Sequence, residues 1–83
     1  MADPWERPTR VALMRAKQLF PRGERFLLEE ISENQLGNWL VTIGFDYPEN
    51  ESAGVLSPTE RLYREFEITN VGEVIRMKAH HVH

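Results

Sequence analysis

The hydrophobic positions of this chain change period once, near residue 21. Over residues 9–20 they recur every three to four residues, as on one side of an α-helix. This apolar stripe consists of Ala12, Leu13, Ala16, Leu19 and Phe20. Pro8 suits the first turn of such a helix, where its missing N–H costs nothing, and Pro21 with Gly23 ends it. The pattern therefore predicts one N-terminal helix with a single side to bury.

Alternation replaces the helical period afterwards and predicts three or four strands. The clearest strand is residues 39–47, whose bulky alternate positions are Trp39, Val41, Ile43, Phe45 and Tyr47. Thr42, Gly44 and Asp46 fall on the opposite face, which we expect to be largely wet. A glycine inside such a strand marks either a bulge or a close approach to the backbone.

A weaker strand is predicted over residues 25–33, buried through either Phe26 and Leu28 or Leu27 and Ile31. The following turn is supplied by Asn34, Gly37 and Asn38.

A closing hairpin is predicted between residues 62–68 and 73–78, around a four-residue loop with Gly72 in the left-handed conformation. This register places Phe66 opposite Ile75 and Glu65 opposite Arg76. A long polar loop, residues 48–59, precedes the hairpin and is either functional or mobile.

These elements predict an α+β fold with one N-terminal helix packed on a three- to four-stranded antiparallel meander sheet. Residues 1–7 are expected to be a flexible arm, residues 8–79 the single domain, and residues 80–83 a flexible tail containing histidines.

The order resembles the small helix-plus-curled-sheet modules of the PepSY-like and cystatin-like type. The resemblance rests on an alanine-rich helix, a tryptophan-led strand at 39–43, and the hairpin sequence FEITNVGEVI. Gly72, Glu73 and Val74 match the PepSY hairpin, whereas Thr69 stands where an acid is usual. The resemblance implies a module that binds or inhibits peptidases, or that serves in assembly.

Composition excludes several classes of protein. A chain of 83 residues forms one domain, and the absence of cysteine excludes disulfides and thiolate zinc sites. Its 13 acidic and 10 basic residues give a net charge of −3, which disfavours nucleic-acid binding. It contains neither an apolar run of the ~18 residues that a membrane span needs nor a secretory apolar region. We therefore expect a cytoplasmic protein that does not enter membranes.

No motif of catalysis or phosphate binding is present, so we expect neither an enzyme nor a cofactor. His80, His81 and His83 could chelate a metal, but a frayed terminus lacks the second shell of a built site, and we expect none. Two acidic groups are interpreted as solvated surface, namely Glu29, Glu30 and Glu33, and Asp46, Glu49 and Glu51.

The remaining interpretation is a small non-enzymatic protein-interaction module, acting as an inhibitor or as an assembly or regulatory subunit. It would present a sheet edge, the 48–59 loop, or an outer sheet face, and could form a homodimer through a sheet edge. The candidate partner-binding residues of that face are Tyr63, Glu65, Arg76 and Lys78. The alternative is a small-ligand or nucleic-acid binder that uses a basic helix face, made of Arg10, Arg15, Lys17 and Arg22.

Overall fold

The computed structural model describes residues 3–48 and 59–80. Its elements are α1 (Glu6–Leu19), β1 (Glu24–Glu33), β2 (Trp39–Pro48), β3 (Thr59–Ile68) and β4 (Val74–Ala79). The strands form one antiparallel sheet in the order β1-β2-β3-β4. The predicted α+β fold, with one helix packed on a meander sheet, is confirmed. Within the described ranges no helix has the length and apolar character to cross a membrane.

The helix begins two residues before Pro8, which lies buried in its first turn as predicted. Glu6 and Arg7, expected in the flexible arm, are therefore helical. Arg7 is also tied to the body, because its Nη2 donates to the carbonyl oxygen of Val71 at 3.0 Å. At the other end the Phe20 N–H donates to the Ala16 carbonyl, and the chain then leaves the helix.

The core lies between α1 and the facing side of the sheet. Its fully buried members are Ala12, Ala16, Val41, Ile43, Phe45, Phe66 and Ile68. The two alanines let the helix backbone approach the sheet closely, and Phe20 stacks its ring 4.7 Å from that of Phe45. Leu19 is about half exposed, contrary to the predicted stripe, because the neighbouring Phe20 occupies the contact with the sheet at this last turn.

The first alternative for the buried side of β1, Phe26 and Leu28, holds, whereas of the second alternative only Ile31 holds, because Leu27 is 57% exposed. The pairing with β2 shifts between Leu28 and Glu30, which places a β-bulge at Glu29. Phe26 and Leu28 pack on the core before the bulge, and Ile31 does so after it. The extra residue resets the alternation, so no single period could describe this strand.

The predicted register of the closing hairpin is wrong. Thr69 N–H donates to the Glu73 carbonyl and Gly72 N–H to the Thr69 carbonyl, so the loop has three residues, 70–72, with Gly72 at φ +89°. Ile68 pairs with Val74 rather than with Glu73.

A bulge then shifts the pairing further. Glu67 pairs with Arg76 and Phe66 with Met77, which leaves Ile75 as the extra residue. Ile75 is therefore not the core partner of Phe66, and it is 54% exposed. Apolar residues still lie opposite apolar residues, as in the predicted register, but the bulge changes the individual partners.

The helix packs over β1, β2 and β3. Val74 at the start of the end strand, β4, packs against the core, but the strand then runs beyond this cover, and Met77 is 40% exposed although it pairs with the buried Phe66. The helix stripe therefore seals three strands of the meander and leaves one side of β4 open.

Candidate functional site

The four predicted partner-binding residues all lie on the sheet face opposite the helix, here called the outer face. Tyr63 and Glu65 alternate with the buried Phe66 on β3, and the β4 residues paired with that outer row are Arg76 and Lys78. The predicted pair of Glu65 with Arg76 is wrong because of the shifted register. Glu65 instead faces Lys78, with Oε1 and Nζ 3.4 Å apart.

Tyr63 lies beside Gly44 of β2 and opposite His80. A Cβ added to Gly44 would lie 3.0 Å from Tyr63 Cε1 and 2.5 Å from Glu29 Oε2. The close approach to the backbone expected at this glycine is thus present, and two side chains of the protein itself make it. The ring of Tyr63 covers the sheet here.

The centre of the outer face is buried, contrary to the expectation of a wet face. Thr42 is 1% exposed and Asp46 is 7% exposed, although α1 packs on the opposite side of the sheet. Instead, the Glu29–Arg61 pair and the Glu30–His80 pair reach across β2. The outer face is therefore closed mainly by its own ion pairs.

One group of ion pairs surrounds Asp46 at the end of β2. Its carboxylate pairs with the guanidinium groups of Arg25 and Arg61, the second at 3.1 Å. Arg61 continues to Glu29 at 3.0 Å and to the Arg25 carbonyl at 2.9 Å. The hydrogen bond from Arg25 holds the pKa of Asp46 below its ordinary value, against the opposing effect of desolvation. Asp46 was interpreted as solvated surface, and that interpretation is wrong.

A second group surrounds Glu67 on β3. Asn34 Nδ2 and Asn38 Nδ2 donate to its Oε2 at 3.0 and 2.9 Å. The hydrogen bond from Asn38 lowers the pKa of Glu67, and that from Asn34 adds to this. Arg76 Nε is 3.8 Å from Oε1, beyond hydrogen-bond distance. Glu67 is thus held as a carboxylate chiefly by the β1–β2 turn.

His80, expected in a flexible tail, lies against the outer face. Its backbone N–H donates to the Tyr63 carbonyl at 3.1 Å, and its ring Nε2 is 2.9 Å from Glu30 Oε1. Its Nδ1 is 3.9 Å from Glu65 Oε2. The two carboxylates therefore approach opposite nitrogens of the ring, and the described residues contain no group of three ligands suited to a metal ion. His81 and His83 lie outside the described residues.

A shallow depression of about 360 Å³ lies beside this bridge. Its lining residues are Glu30, Ile31, Ser32, Leu40, Thr42 and Glu65. Of the two carboxylates in the lining, Glu30 is already engaged by His80 and Glu65 by Lys78. The depression therefore offers little charge to a ligand.

The basic residues of the alternative reading are exposed but do not share one face. Arg10 and Lys17 are seven residues apart on α1 and lie on the same side of the helix. Arg15 lies about 140° around the helix from Arg10. Arg22 follows the helix and belongs to the turn. The structure thus brings together two of these four residues.

The edge of β4 has a regular backbone orientation after its bulge. Because the His80 N–H bonds to Tyr63, these residues form a hydrogen-bonded pair, and such pairs alternate along an antiparallel ladder. Arg76 and Lys78 accordingly direct their backbone groups to β3. Met77 and Ala79 direct theirs away from the sheet, where the described chain supplies no further strand.

Sequence reasoning missed most of these contacts. The group around Asp46 draws its members from three strands, and neighbours 15 to 36 positions apart leave no local signal. The sequence does allow one inference about β4. It predicts more strands than one short helix can cover, so apolar residues of an end strand are expected to be exposed. The described part of the 48–59 loop consists of Pro48 and Thr59, so its predicted role lies outside the described residues.

No family model matches the chain, and neither the curated proteins nor the solved structures contain a match to it. The resemblance to PepSY-like and cystatin-like modules stays a prediction.

Proposed function

We propose that this protein is a non-enzymatic interaction module that binds another protein by accepting an extended segment of it as a strand beside β4. The observation that carries the proposal is the outward backbone of Met77 and Ala79 on a strand that the helix leaves uncovered. Main-chain hydrogen bonds would supply affinity, and alternate side chains would supply specificity. An inhibitor or an assembly subunit can work in this way.

The side chains around β4 support this choice. Ile75 and Met77 are 54% and 40% exposed on a strand of six residues. Met14 is exposed on α1, one heptad after Arg7, whose guanidinium reaches the β3–β4 loop. Helical periodicity therefore puts Met14 on the side of the helix toward β4. Exposed methionines beside an open edge suit an adaptable apolar contact.

The other edge of the sheet is less suited to pairing. The β1 pairing contains two register shifts, and Arg25 adopts a positive φ of 53° within the first of them, between Glu24 and Leu27. Bulges and charged side chains are the usual devices that keep an edge strand from pairing. The strand also carries Glu24, Glu29, Glu30 and Glu33. Strand β4 has a single bulge, at Ile75, and pairs regularly after it, so we assign binding to β4 and protection to β1.

A selection of displayed random peptides on the immobilised protein tests the proposal. We expect enriched peptides to alternate apolar and polar residues, as strands do. Their binding should be lost in Met77→Pro, whose proline ring removes an outward N–H without removing a bond to β3. Enriched peptides that bind Met77→Pro as tightly as the wild type would refute the proposal, as would a selection that enriches nothing.

Two further variants keep this test interpretable. Ile75→Ser/Met77→Ser retains the strand backbone and should weaken binding through lost apolar contact, which covers the case in which Met77→Pro does not fold. Arg10→Glu/Lys17→Glu reverses the charge of the two basic residues that share one side of the helix, and it should leave binding unchanged. Loss of binding in the helix variant alone would favour the basic helix face instead.

A further inference from the structure

We infer that the segment accepted by β4 carries an acidic–apolar–acidic triplet in extended conformation. The inference rests on the proposed function and adds the chemistry of the partner. Its basis is the row of side chains that β4 presents, Arg76, Met77 and Lys78, in which two cations flank one apolar residue.

The fold already contains the complement of this row. Along the edge of β4 that pairs with β3, Glu67 lies opposite Arg76, Phe66 opposite Met77, and Glu65 opposite Lys78. These three β3 residues are themselves an acidic–apolar–acidic triplet. Residues directly opposite in an antiparallel pair share a face, so the same triplet entering from the open side would meet β4 in the same way.

The two cations keep the capacity to bind a second carboxylate. The side chains of Arg76 and Lys78 are 64% and 55% exposed. Arg76 lies beyond hydrogen-bond distance of Glu67 Oε1, and the Asn34 and Asn38 amides donate to Oε2 of that carboxylate. A guanidinium has five N–H donors, more than this single long contact uses. An incoming acid on the outer face would therefore gain a partner without displacing an existing hydrogen bond of Glu67.

The apolar position of the triplet follows from the other side of the strand. Met77 faces the helix side, because it pairs with the buried Phe66, and it remains partly exposed there. An apolar side chain next to Met77 would extend the core edge, whereas a polar one would be desolvated without a partner. The alternation of charge and hydrophobicity in the partner is thus fixed by the two faces of β4.

A second copy of the chain is a poorer occupant. Antiparallel pairing of two β4 strands would set Arg76 opposite its own counterpart or opposite Lys78 of the other copy. Like charges directly across a ladder are destabilising. The acidic β1 edge of another copy has the required charge, but it lacks the triplet and is bulged. The homodimer predicted from the sequence is therefore the outcome that competes with an acidic partner in the binding experiment.

The experiment uses three labelled peptides that differ only at the triplet: Thr-Glu-Val-Glu-Thr, Thr-Lys-Val-Lys-Thr, and the reordered Thr-Val-Glu-Glu-Thr, each with identical flanks. Fluorescence anisotropy measures their dissociation constants for the full chain. We expect the first peptide to bind at least about tenfold more tightly than the other two, and its affinity to fall with salt. Arg76→Gln/Lys78→Gln should weaken it by about tenfold and should leave the thermal midpoint near that of the wild type.

The outcomes separate this inference from the proposed function. Equal binding of all three peptides, or an unchanged affinity in Arg76→Gln/Lys78→Gln, overturns the partner chemistry, while loss of that binding in Met77→Pro still supports the edge. Binding that survives in Met77→Pro and in Ile75→Ser/Met77→Ser overturns both. Absence of binding for all three peptides, or a dimer in sedimentation that Met77→Pro dissociates, also overturns the acidic partner.

Discussion

The imidazole of His80 and the carboxylate of Glu30 come from opposite edges of the sheet, yet Nε2 and Oε1 lie 2.9 Å apart. The pair crosses β2 and β3 on the outer face and helps to bury Thr42. With the Asp46 group of ion pairs it closes the face of the sheet opposite α1. The surface proposed for a partner is then the edge of β4, with Met77 on its helix side and Arg76 and Lys78 on its outer face.

Removing this cross-sheet pair should have a small effect on stability. Glu30→Gln and His80→Gln should each lower the free energy of unfolding by no more than about 1 kcal/mol, because the Glu30 side chain is more than half exposed. Urea unfolding at low and high salt measures the change, with Lys17→Gln as a surface control. A loss of several kcal/mol would mean that the pair organises the sheet rather than covers it.

Stability should fall in acid through Asp46. Its pKa is lowered by its hydrogen bond from Arg25, so the folded state favours the carboxylate more than the unfolded state does. The resulting stabilisation is present above the ordinary carboxyl pKa and is lost as pH falls from about 4 through the lower folded value. Asp46→Asn should flatten the acid limb of a thermal midpoint profile, whereas Glu24→Gln, at an exposed position, should not. Equal acid limbs in the wild type and Asp46→Asn would contradict this assignment.

The close contact at Gly44 yields a local prediction. Gly44→Ala introduces a Cβ 2.5 Å from Glu29 Oε2, so the carboxylate must move away from Arg61. We expect a loss of about 1 kcal/mol in the free energy of unfolding. Gly44→Val should cost more because Tyr63 must also move. Ser32→Ala, at an exposed outer-face position, serves as the control; an unchanged stability in Gly44→Val would show that the outer face is loosely packed.

The corrected hairpin register can be measured by charge coupling. A double-mutant cycle between Glu65 and Lys78 should give a coupling energy of about 0.2–1 kcal/mol, because the two residues are directly opposite. The cycle between Glu65 and Arg76 should give a smaller value. The reverse order would restore the register that simple alternation predicts.

Substitutions at the buried Phe66 and the exposed Ile75 distinguish the same two registers by a larger difference in the free energy of unfolding. Phe66→Ala should cost about 3–5 kcal/mol because the ring is fully buried. Ile75→Ala should cost far less, since its side chain is 54% exposed at the bulge. Chemical denaturation provides both values, and a large loss in Ile75→Ala would place this residue in the core.

Local patterns were sufficient for the elements and for the inner face of β2. Val41, Ile43 and Phe45 are buried because a period of two places them on one side of an extended strand. The bulges at Glu29 and Ile75 could not be predicted from local patterns. Each inserts one residue into its strand, and the contacts that stabilise the insertion are made with another strand.

The predicted outer face shows the same limit for side chains. The positions of Tyr63, Glu65, Arg76 and Lys78 on that face followed from alternation and are confirmed. The partners of each did not follow, since a shift of the ladder exchanges every opposite neighbour. The burial of Asp46 depends on arginines from two other strands, which only the folded sheet brings together.

The central claim is that β4 offers alternate backbone groups to an incoming strand, and residue-resolved amide hydrogen exchange tests it most directly. In the protein alone, the N–H groups of Arg76, Lys78 and His80 should be protected, whereas those of Met77 and Ala79 should exchange rapidly. Addition of the Thr-Glu-Val-Glu-Thr peptide should slow exchange at Met77 and Ala79. Protection of these two amides before any peptide is added, or unchanged exchange at both when the peptide is bound, would contradict the account.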